Sequence, residues 1–157
     1  MGINLLNSLY EKIYGEEFNP TTFNSRMEMQ KAIYLIQEAG FAVGEYDFLW
    51  YKHGPYSQNL QNDILRLSNV NKENVIFTEE ATAVLNDLNS MLNQENSYGR
   101  SKWVECIASI LYLKKNVYPN TILDEELISK LVEKKPHLDK PDINMMALHE
   151  VKNMYFA

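Results

Sequence analysis

The chain has little with which to staple itself. A single cysteine, Cys106, is present in 157 residues, so no intramolecular disulfide can form and the composition suits a reducing compartment. Six glycines and five prolines are too few for a low-complexity or collagenous chain. No run approaches the roughly 18 uncharged apolar residues that mark a bilayer span. The N-terminus "MGINLLNSLYEKIYG" carries acids too early for a secretory signal, and Gly2 lacks the Ser or Thr that a myristoylation signal wants. A cytoplasmic protein without membrane contact is the expectation.

Basic residues are also scarce, 15 Lys and Arg against 21 Asp and Glu, for a net charge of −6. Residues 101–157 hold eight of each sign, so the whole deficit falls on residues 1–100, with seven basic residues against thirteen acids. Phosphate contacts supply most nonspecific nucleic-acid affinity, which leaves nucleic acid a disfavoured partner. Recognisable chemistry is missing too. There is no P-loop, no Gly-x-Gly-x-x-Gly and no Gly-x-Ser-x-Gly elbow. His53, His137 and His149 do not lie at i,i+4 from one another and no Cys pair accompanies them, so a zinc site of the usual spacing is absent. Cys106 lies in the apolar helical run "WVECIASIL", a packing position rather than a nucleophile's. The acid pairs Glu79–Glu80 and Glu125–Glu126 each follow a capping residue, where the helix dipole accounts for them. The chain therefore reads as a non-enzyme with no catalytic residues, no metal and no cofactor.

What is present is an ordinary globular mixture, 45% apolar and 11% aromatic, long enough to bury a core unaided. Asn-rich stretches such as "NVNKEN" and "NLQND" suit a low-GC bacterial or phage coding sequence. Helical spacing places Leu5, Leu6, Leu9, Tyr10 and Ile13 on a first helix over 3–14. Met29, Ala32, Ile33 and Ile36 mark one face of a second over about 24–39, with Arg26, Lys31 and Glu38 off that face and Gly40 as its stop. "YDFLWYK" at 46–52 reads as a strand covered on both sides, with Trp50 and Tyr51 entering the core. Gly54 breaks it, and Pro55 opens a third helix carrying Leu60, Ile64 and Leu67 inward. "SNVNKENVIFTEE" predicts a short hairpin or lone strand at "VIF" able to pair with 46–52, then Thr78 as the N-cap of a fourth helix. Three more helices follow, around Trp103 to Leu111, after Asp124 as a cap, and after Asp142 as a cap.

The fold class is thus mostly α (α+β), about seven helices with a small two- or three-stranded β element between helices two and four, winged-helix-like. One domain over 1–157 is expected, with a core over 1–97 and a C-terminal helical extension over 98–157, the polar connector "NQENSYGRS" marking the join.

The stretch "WYKHGPYS" at 50–57 gathers four rings around one turn. Lys52, His53, Tyr56 and Ser57 lie at a strand end and a helix start, where free N–H groups and tyrosine hydroxyls suit an anion or a partner protein. Gln58 and Gln61 extend that surface along helix three. The same helix offers Gln58, Asn59, Gln61, Asn62 and Arg66, types that read base edges in a major groove, which supplies a DNA-binding alternative. The acidic half-chain around it favours a solvated polar face instead.

Residues 29–64, "MQKAIYLIQEAGFAVGEYDFLWYKHGPYSQNLQNDI", resemble the signature of the bacterial YwgA-type proteins. The matching positions are Lys31, Tyr34, Leu35 and Gln37, then Phe48, Trp50, Tyr51, Gly54, Pro55, Tyr56 and Ser57, then Leu60, Asp63 and Ile64. "VIFTEEATAVL" is similar to the strand, cap and helix that follow in that family, so the match spans about residues 25–95. More distantly, the chain resembles the Panacea (SocA-like) antitoxin domain, which shares the "K-x-x-Y-L" helix and the aromatic strand leading to "G-P". That resemblance implies a protein-binding module in toxin–antitoxin or defence biology, an antitoxin-like neutraliser or a defence or anti-defence factor acting on a toxin or defence component. It supplies no catalytic residues, and a homodimer stays open.

Overall fold

The computed structural model, which describes residues 3–67 and 75–157, shows among them seven α-helices and a two-stranded hairpin. The helices are α1 (Asn4–Tyr14), α2 (Phe23–Glu38), α3 (Gln58–Arg66), α4 (Glu79–Leu92), α5 (Gly99–Tyr112), α6 (Asp124–Lys134) and α7 (Pro141–Tyr155). The hairpin, β1 (Leu49–Tyr51) and β2 (Gly54–Tyr56), lies between α2 and α3. The mostly helical architecture with a small β element between helices two and four is therefore the fold, and none of the described helices is long and apolar enough to cross a membrane.

The helix ends follow local chemistry. Thr22, Ser57 and Thr78 each accept a hydrogen bond from a first-turn amide of α2, α3 and α4, satisfying donors that a helix start leaves unpaired. α2 stops in a Schellman arrangement: Gly40 at φ 100 donates to Gln37 O and Phe41 donates to Ile36 O, which only a left-handed residue allows cheaply. Asp124 and Asp142 stand inside the first turns of α6 and α7 rather than at the caps expected of them, and favour the helix dipole from there. α5 continues into a π-helical turn over Leu113–Val117, closed by Tyr118 N–H donating to Leu113 O.

The core departs from the expected division at 97/98. Val104 to Leu111 of α5 are wholly buried, and α5 packs against α2, α4, α6, α7 and the hairpin. One apolar cluster draws on all seven helices. α5 is the axis of the domain and not the start of an appendage, because its sequence is apolar nearly all round and can only be stable at a centre. A polar strap joins it to the N-terminal half: the buried Glu28 carboxylate accepts from Arg100, Ser101 and Tyr10, and Arg100 stacks on the Tyr14 ring.

The β element also differs from the sequence reading. The strand is three residues long and faces the core on one side only: Trp50 packs on Tyr112, whereas Leu49 and Tyr51 are exposed. Its partner is not Val75–Phe77, which has no strand structure, but Gly54–Tyr56, with Trp50 opposite Pro55. Pro55 therefore belongs to β2 and not to helix three. The Asn-rich turn expected over 68–74 lies outside the described residues. Among the described residues the hairpin follows α2 and precedes α3, whereas the sequence reading places a hairpin after α3. The two-residue link Lys52–His53 demands a chain reversal that the glycine after it completes, at φ 91.

Gly54 is held against α5 so closely that an added Cβ would overlap Ser109 Oγ. Gly54→Ala should therefore cost roughly 2–4 kcal/mol, from the left-handed backbone and the overlap together. Urea denaturation measures it, and a loss under about 0.5 kcal/mol, the range of neutral surface changes, would show the hairpin is not seated against α5.

Candidate functional site

The hairpin is fastened through its backbone. On α2, Gln30 donates from Nε2 to Ser57 O and accepts from Ser57 N–H, both at 2.9 Å, so one amide side chain imitates a strand partner. One residue on, Lys31 donates from Nζ to Pro55 O at 2.7 Å. From the link after α6, Lys135 donates to the carbonyls of Tyr51 and Lys52 while lying 4.7 Å from the Trp50 ring centroid, a cation–π contact. Gln37 donates to Tyr46 O, and the Tyr46 hydroxyl reaches Asp63 of α3 at 2.7 Å. Lys31, Gln37, Ser57 and Asp63 are thus the ties between α2, the hairpin and α3.

Lys31 was expected on the polar side of its helix. It is 1% exposed, because α2 is covered all round from Met27 to Ile36. Burial lowers its ammonium pKa to about 7, with Glu105 opposing the fall and Lys135 adding to it. Desolvation penalises the charged form, and one carbonyl does not replace a hydration shell.

Between α2 and the hairpin lies a groove of about 240 Å³. Arg26, Lys52 and His53 supply its basic groups, the buried Lys31 lies in its floor, and Phe23, Tyr51 and Tyr56 supply rings. Among the described residues no carboxylate lines it, although the chain carries a net charge of −6. Of the residues expected to meet a partner, Lys52, His53, Tyr56 and Gln61 line this groove. Gln58 lies beside it, exposed, bonded to Asn62 and to the Tyr56 hydroxyl. Ser57 does not face outward: it is 1% exposed and serves as the α3 cap. Of the DNA-reading set, Asn59, Asn62 and Arg66 are exposed on α3, with Arg66 3.6 Å from Asp63.

Below the hairpin tip, three residues distant in sequence converge. Glu105, from the middle of α5, is buried, and its two oxygens meet His137 Nε2 at 2.6 Å and His53 Nδ1 at 3.4 Å. These three ligand-capable groups lie within 4.8 Å of one another. Sequence spacing looked for neighbours along one helix and passed over a cluster built from a hairpin, a helix and a loop. A single charge inside the apolar run "WVECIASIL" was the available signal. Cys106 beside it is buried, donates to Asn144, and has its thiol pKa pushed well up by desolvation, away from nucleophilic form. His149 stands exposed and apart on α7.

Comparison with protein-family models, curated proteins and solved structures gave no match to this chain.

The Lys31 shift gives a pH test. Between about pH 7 and 10.5 the folded chain holds fewer protons at this site than the unfolded chain, so unfolding free energy rises with pH across that window. From pH 7 to 9.5 the wild type should gain on the order of 3 kcal/mol relative to Lys31→Met. Chemical denaturation at both pH values measures the difference. Parallel curves for the two proteins would contradict a buried, destabilised ammonium.

Proposed function

We propose that the protein is a non-catalytic binding module whose groove between α2 and the hairpin captures an acidic segment of a partner protein. In this reading it is an antitoxin-like neutraliser, or a defence or anti-defence factor, of bacterial or phage origin. The observation that carries the reading is the groove's local charge inversion: Arg26, Lys52 and His53 line it above the buried Lys31, with no carboxylate among the described residues, in a chain of net charge −6. Such a patch steers carboxylate-bearing partners, and complementary charge sets specificity and encounter rate more than raw affinity.

The rings supply the other half of an interface. Tyr51 and Tyr56 stack with centroids 5.1 Å apart, and Phe23 meets His53 edge-on at 5.0 Å. Tyrosine, phenylalanine and arginine are the types enriched in protein interfaces. Because the hairpin backbone is already tied to Gln30, Lys31 and Lys135, little ordering entropy is spent on binding. The resemblance to YwgA-type and Panacea proteins adds the expectation of direct contact with a toxin or a defence component.

The outer face of α3 lends the DNA alternative little support. The α3 outer face spends Gln58 on Asn62 and pairs Arg66 with Asp63, and a lone arginine gives few phosphate contacts.

Co-expression with the products of flanking genes, followed by co-purification, tests the reading. A stoichiometric complex is expected, weakened at least about tenfold by Arg26→Glu with Lys52→Glu, a cost of roughly 1.4 kcal/mol, and unchanged by Arg66→Ala. A complex indifferent to the charge reversals, or salt-sensitive DNA binding lost with Arg66, would contradict it.

A further inference from the structure

We propose that His53, Glu105 and His137 form a binding site for a divalent late first-row transition ion, of which zinc is the representative. The reading goes beyond the groove and does not depend on what the groove binds.

Three elements converge to make it. His53 stands at the hairpin tip, Glu105 in the middle of α5, and His137 in the link between α6 and α7. Glu105 is the fixed member, its side chain 3% exposed, while the two imidazoles are 41% and 38% exposed and so reach solvent. Burying a carboxylate is costly, and proteins tolerate it when the charge is paired or coordinates a metal. Here the hydrogen bonds described for the Glu105 oxygens come from the two imidazoles alone. The neighbouring ammonium groups are turned to hairpin carbonyls, Lys31 to Pro55 and Lys135 to Tyr51 and Lys52.

The geometry lies close to what a bound ion requires. With metal–nitrogen and metal–oxygen bonds of about 2.0–2.2 Å, ligand atoms in a tetrahedron stand about 3.4 Å apart. His53 Nδ1 stands 3.4 Å from Glu105 Oε1 and His137 Nε2 2.6 Å from Glu105 Oε2, with the ligand atoms of all three residues within 4.8 Å of one another, so small side-chain rotations bring them to that spacing around one ion. A half-exposed side chain makes such a move by rotation. The supports are prearranged: the hairpin clamp fixes His53, and the link carrying His137 is closed by Leu138 N–H donating to Lys135 O and by Asn144 donating to Leu138 O.

The donor set selects the ion. Two imidazoles with one carboxylate suit zinc, iron, cobalt or nickel, whereas magnesium and calcium take all-oxygen sites and copper(I) takes sulfur. Three protein ligands leave a coordination position open, on the side where solvent reaches both imidazoles.

The full chain, freed of metal with a chelator, should bind zinc chloride saturably at one ion per chain in calorimetry, and cobalt(II) should develop visible absorption bands. His53→Ala and His137→Ala should each weaken zinc at least about tenfold, with His149→Ala unchanged and magnesium chloride silent. Zinc should raise the melting temperature of the wild type and not of the double histidine variant. Glu105→Gln should weaken binding as well, and if that buried change unfolds the chain the half-exposed histidine variants decide alone. No saturable binding in the wild type, or wild-type affinity in the double histidine variant, overturns the assignment.

Discussion

The structure turns on a desolvated cation. Lys31 spends its ammonium on one backbone carbonyl, Pro55 O, in a position that solvent does not reach. A methionine of similar volume would sit there at lower cost, since buried charge is seldom the cheapest filling. What the lysine does is fix where the hairpin can lie. Beside it the Gln30 amide pairs both ways with Ser57, and from the opposite side Lys135 takes two more carbonyls. A lone two-stranded hairpin is marginal in water. This one is stable because side chains from α2 and from the link after α6 complete its backbone bonding.

The groove's character follows from that fastening. A clamp made of cations bonding to carbonyls brings positive charge to the hairpin, and Arg26, Lys52 and His53 add to it around the opening. Several acids of residues 1–100 are paired elsewhere: Glu28 with Arg100, Ser101 and Tyr10, Asp63 with Tyr46, and Glu38 with Lys115. Net charge read from composition therefore misstates the sign at this surface. Local potential depends on where the carboxylates lie, and among the described residues none lines the groove.

Much of the helical scaffold was legible from the sequence, and the reasons are local. Thr78 before two glutamates, Gly40 after an apolar stripe, and the leucine spacing of α1 and α4 each act within a turn of chain. The hairpin was misplaced because its decisive contacts are remote. Trp50 and Tyr51 look alike in a hydrophobic pattern, and only the position of Tyr112 on α5 decides which is covered. Pro55 is a sound helix opener by its fixed φ, yet it lies in β2 since its carbonyl is needed by Lys31. The candidate site was legible in part. Lys52, His53, Tyr56 and Gln61 were found by their crowding near one turn, whereas Glu105 and His137 come from 52 and 84 residues beyond His53 and share no local pattern with it.

The central claim is that the Gln30 and Lys31 side chains hold the hairpin in place. Hydrogen–deuterium exchange of the backbone amides in the wild type and in Gln30→Ala with Lys31→Met measures this directly. The account predicts that protection falls at Trp50 to Ser57 while α4, α5 and α7 keep theirs. Unchanged protection in the hairpin, with the two side chains gone, would contradict it.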